Sequence, residues 1–133
     1  MLPQERFCTI LKQHIADQDA VLAQFHKDIQ ERPVHTLTWA DDTFQAVASR
    51  QVFTWVLTTL TKPDTKATLQ TILHYTQGQA LLCFNRNPST SVCENLVNRC
   101  MGRAWTRLLA HLVDVGVLLN PLIGVSVPAT TES

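Results

Sequence analysis

Apolar residues recur at three- and four-residue steps along most of this chain, and the steps divide it into four helices. In the first, about Pro3 to Ile29, residues Phe7, Ile10, Leu11, His14, Val21, Leu22, Phe25 and Ile29 make one stripe, and Pro33 closes it. A loop, VHTLTW, follows, and Thr38 with Asp41 forms a capping-box-like start for a second helix, Ala40 to Thr61. That helix is apolar around most of its circumference (Phe44, Val47, Val52, Phe53, Trp55, Val56), which predicts a place at the centre of the bundle. After the turn TKPDTK, with Asp64 or Thr65 as cap, a third helix carries Leu69, Ile72, Leu73, Thr76, Ala80 and Cys83, with Gly78 as a candidate kink. The loop NRNPSTS leads to a Ser-x-x-Glu box, Ser91 and Glu94, that opens a fourth helix from Val92 to Leu119. No alternating stretch is long enough to predict a sheet. The expected fold is all-α: a compact bundle of four helices, with five as a variant, spanning residues 1–120, and an irregular tail over 121–133.

Composition narrows the function classes. A chain of 133 residues fits one domain that buries roughly two-thirds of its unfolded surface. Eleven Lys and Arg balance eleven Asp and Glu, so no overall field draws the chain to a polyanion or a membrane. The balance is local, however: residues 62–111 carry six basic side chains against only Asp64 and Glu94. Cys8, Cys83, Cys93 and Cys100 lack zinc-knuckle or redox-pair spacing, and Asn87 is barred from glycosylation by Pro88. The charged start MLPQERFC is unlike a signal peptide, so a reduced, cytoplasmic compartment is expected. The apolar run at residues 108–128 contains Asp114 and an Asn120-Pro121 break, so it reads as a buried helix and a tail rather than a membrane anchor.

Reactive constellations are not evident. Asp41 and Asp42 sit in a first helical turn, where the macrodipole favours acids, and point about 100° apart. The five histidines form no His-x-x-x-His pair of the kind helical metal motifs use, and no glycine-rich phosphate loop exists. Small ribonucleases of the nucleotide-binding helical-bundle type space Arg and His by four to six residues. Here Arg107 and His111 are separated by three, so that activity is not carried over. The expectation is a non-catalytic protein with no cofactor and no metal.

One positive signal remains, in NRCMGRAWTRLLAH. Arg99, Arg103, Arg107 and His111 follow one another at four-residue steps, a ridge that climbs roughly 6 Å per step. No carboxylate stands four residues from any of the three arginines. Planar guanidinium groups suit bidentate contact with phosphate or carboxylate. Arg86, in the preceding loop, extends the candidate nucleic-acid surface. The alternative is that acids of the first helix (Asp17, Asp19, Asp28) neutralise the ridge within the fold.

Two resemblances bear on this. In size, helical architecture and basic helical face the chain is similar in type to the small helical subunits of RNA-guided (CRISPR-like) effector complexes. That resemblance implies an accessory subunit that packs against larger partners or itself and touches nucleic-acid backbone. Separately, AWTRLLAHLVDVG resembles the first homology region of the helical apoptosis regulators (B-cell-lymphoma-two-like), through Trp105, Arg107 and Gly116. It implies a groove holding an amphipathic partner helix, with Arg107 pairing to an acid of that helix. Gly102, Arg103 and Ala104 depart from that family's residues before the Trp.

Overall fold

The structure, a computed structural model, describes residues 2–63, 67–87 and 91–116. Among the described residues are five α-helices, α1 (Pro3–Glu31), α2 (Pro33–Thr36), α3 (Ala40–Thr61), α4 (Leu69–Asn85) and α5 (Val92–Asp114), and one 3-10 turn, Leu37–Trp39. The fold is an all-α bundle, with no strand among the described residues. The tail expected at 121–133 lies outside them.

Local chemistry explains most boundaries. Pro3 occupies the first position of α1, where its missing N–H costs nothing, and the Glu5 carboxylate accepts from the Leu2 N–H at 3.0 Å. The Thr68 hydroxyl accepts from the Thr71 N–H at 3.2 Å to open α4, while the expected caps Asp64 and Thr65 lie outside the described residues. Ser91 opens α5 by accepting from the Glu94 N–H at 3.2 Å, as its sequence predicts.

Three expectations need correction. The segment after Pro33 is not a loop, because Pro33 starts a new helical turn that runs through α2 and the 3-10 turn into α3. Thr38 does not cap α3. Its hydroxyl donates to the His35 carbonyl at 2.7 Å, and the cap residue is Trp39, with Asp41 and Asp42 left to complement the helix dipole. Finally, α5 stops at Asp114 instead of running to Leu119. Gly116 takes φ +88°, a left-handed conformation that suits glycine, and its N–H bonds back to Val113 at 2.9 Å.

The centre of the bundle is the pair α3 and α5, which run in the same direction. Gln45 Nε2 donates to the Cys100 carbonyl at 2.9 Å near their N-termini, and the Phe53 and His111 rings meet farther along. α1 lies antiparallel on α3, with His14 stacked on Phe53 and Phe25 edge-on to Trp39. α4 lies antiparallel on α5, with Tyr75 against Trp105 at one end and Cys83 and Phe84 over Gly102 at the other. Here glycine eases a close approach: a Cβ at Gly102 would lie 3.2 Å from Cys83 Cβ and 3.3 Å from the Phe84 ring, so those side chains would have to give by a few tenths of an ångström. Phe7, Leu11, Phe53, Val56, Leu73, Leu108 and Leu112 are fully buried between these helices. Each contributes about 1.5–3 kcal/mol by leaving water.

Candidate functional site

A four-residue step on an α-helix advances about 40° around the axis, so a row of such steps is a slow spiral. On α5 that spiral begins at the solvent and ends against the core. Arg99, Arg103 and Arg107 are exposed, whereas His111 is half-buried. Cys100, Ala104, Trp105, Leu108 and Leu112 hold the opposite face in the core and fix the ridge outward.

The structure shows what the acids of α1 do. Asp19 pairs with Arg50 of α3. Asp28, buried, pairs with Arg32 at 3.7 Å and accepts from Gln24 at 3.0 Å. Asp17 accepts from Gln13 at 2.9 Å. None of them reaches α5. Among the described residues, Arg99, Arg103 and Arg107 form no ion pair and no side-chain hydrogen bond. Arg86 is drawn to the same helix, donating from Nη1 to Asn98 Oδ1 at 3.1 Å, one residue before Arg99. The arginine fields are felt locally. Burial pushes the Cys100 thiol up from its ordinary value, and Arg99 and Arg103 oppose that rise while Asp41 adds to it.

Three sequence-predicted residues are placed differently from the ridge. The His111 ring lies edge-on to Phe53 at 5.9 Å and to His14 at 5.6 Å, and its Nε2 is buried without a hydrogen-bond partner among the described residues. Burial lowers its pKa, Asp114 partly offsets this, and Arg107 lowers it further. Trp105 is 6% exposed and packs in an aromatic cluster with Trp55 and Tyr75, which makes it a core residue. Gly116 ends α5, as above.

Compared with known proteins, the chain matches no family model, no curated protein and no solved structure.

Two features were missed at the level of sequence. The first is the His14–Phe53–His111 cluster, which joins α1, α3 and α5. His14 stacks on Phe53 with ring centroids 4.2 Å apart, and its pKa falls through burial, then through Arg107 and His111, with Asp17 opposing. The second is an apolar groove of about 320 Å³ between the N-terminal halves of α3 and α5, walled by Phe44, Val47, Val97 and Met101 over Ala48 and Cys100. Its signal was present in the sequence, in the apolar residues spread around most of the circumference of the second helix. α3 belongs to the central pair, but Phe44, Val47 and Trp55 remain exposed by 48%, 49% and 43%. Among the described residues, no three of His, Cys, Asp and Glu gather as a metal site, and no helix is long and apolar enough to cross a membrane.

Proposed function

We propose that this chain is a non-catalytic helical accessory subunit that presents Arg99, Arg103 and Arg107 to a nucleic-acid backbone. The observation that carries the reading is the ridge itself: three exposed guanidinium groups on one helix, with Asp17, Asp19 and Asp28 of α1 engaged elsewhere. An unpaired guanidinium keeps its forked donors for phosphate and contributes its charge to counterion release. Arg86 lies beside the ridge and lengthens it. The role is similar in type to that of the small helical subunits of RNA-guided effector complexes. His111 takes no part as a surface cation in this reading, because its ring is turned into the α1–α3 seam.

The test is fluorescence anisotropy with a labelled single-stranded oligonucleotide of mixed sequence. Arg99→Ala/Arg103→Ala/Arg107→Ala should keep the helical circular dichroism spectrum and lose binding; unchanged binding rejects the proposal. In the competing reading, a groove for an amphipathic partner helix, Arg107→Ala alone accounts for the loss and the ligand is a peptide.

A further inference from the structure

The outward face of α3 carries a pattern that the Arg ridge does not use. Asp41, Phe44, Ala48, Gln51, Trp55, Thr58 and Lys62 follow one another at alternating three- and four-residue steps, the spacing of a helix-packing seam. Phe44, Gln51 and Thr58 are exposed, Trp55 keeps 43% of its surface in water while its ring also packs on Tyr75 and Trp105, and Ala48 is the small residue on the floor of the apolar groove. Along this seam the charges stand only at the ends, acidic at Asp41 and basic at Lys62.

The pattern is complementary to itself when reversed. Laid antiparallel on a second α3 about a dyad beside Gln51, at the shallow crossing of about 20° common in bundles, the two ends exchange opposite charges. Asp41 then faces Lys62 of the copy. Trp55 faces Ala48, a large side chain over a small one, at the mouth of a groove of about 320 Å³. The two Gln51 side chains meet at the dyad, where each amide has a donor and an acceptor to exchange. Antiparallel helices also oppose their dipoles favourably.

We infer that the α3 face is a homodimer interface, its occupant the α3 of a second copy of this chain. An isologous contact of this kind closes on itself and leaves no apolar stripe in water. The inference does not rest on the nucleic-acid reading, since the seam is on α3 and the ridge on α5.

Sedimentation velocity on the full chain tests it, with circular dichroism confirming the fold of each variant. The wild type is expected to dimerise at micromolar concentration. Gln51→Glu and Gln51→Lys each place like charges at the dyad and should weaken the dimer about tenfold or more, because like-charge juxtaposition at an interface is strongly unfavourable. An equimolar mixture of the two variants should recover dimer as a mixed pair. A wild type that stays monomeric, or single variants that dimerise as tightly as wild type, would overturn the inference.

Discussion

The two central helices run side by side in the same direction, yet their outward faces are opposites. That of α3 is apolar, with Phe44, Val47 and Trp55 in water and Arg50 tied to Asp19 at its edge. That of α5 is cationic, with Arg99, Arg103 and Arg107 standing among small and neutral residues. Both helices bury their other side in one core, so stability does not explain the contrast. An apolar face is stabilised by being covered, whereas a row of unpaired guanidinium groups repels its own kind and is stabilised by an anion. The difference teaches that one small bundle carries two surfaces of unlike chemistry, one suited to protein and one to phosphate.

The contrast can be broken or sharpened in steps of decreasing size. Removing the shared support should erase both surfaces together. Leu108 is fully buried on α5, and Leu108→Ala should cost about 2–5 kcal/mol in urea denaturation followed by circular dichroism. A loss well under 1 kcal/mol would mean that α5 is not held as described. Next in size is the ridge alone. Three phosphate contacts should make binding fall roughly 20- to 40-fold between about 50 and 200 mM salt, a dependence that the triple Ala variant lacks.

A smaller effect should come from the seam between α1, α3 and α5. His14 and His111 have pKa values lowered by burial, so the unfolded chain binds their protons more readily than the folded one. Their contribution is fully present above the ordinary histidine value near 6.5 and is lost as pH falls below it. The melting temperature should therefore drop by on the order of a few °C between neutral and mildly acidic pH. His14→Phe/His111→Phe should flatten that slope, and an unchanged slope would assign the acid sensitivity to other groups. Smallest of all, Asp19→Ala removes an exposed ion pair with Arg50 and should cost less than about 1 kcal/mol in the same denaturation assay.

Much of the fold was legible in the sequence because helical periodicity is a local property. α3 matched its expected bounds, Ala40 to Thr61, and Ser91 capped α5 as the box predicts. Misreadings arose where tertiary geometry decides. Four-residue spacing treats His111 as the next member of a row, but 40° of rotation per step carries it from the solvent side of Arg99 to the flank of Phe53. Thr38 and Asp41 fit a capping box by spacing, yet the backbone was already turning at Trp39. The all-round apolar character of α3 signalled burial on one side and an uncovered seam on the other, and composition cannot separate the two. Gly102 gave no hint of its role, which depends on Cys83 and Phe84 arriving from α4. The ridge itself was readable, while the fact that Asp17, Asp19 and Asp28 of α1 are engaged elsewhere was not.

The central claim is that the outward face of α5 meets phosphate through three arginines. Its most direct measurement is the slope of log affinity against log salt for a labelled single-stranded oligonucleotide, for wild type and for Arg99→Ala, Arg103→Ala and Arg107→Ala singly. The account predicts a wild-type slope of about −2 and a loss of roughly 0.7 with each substitution. A slope near zero, or one that the three substitutions leave unchanged, would contradict it.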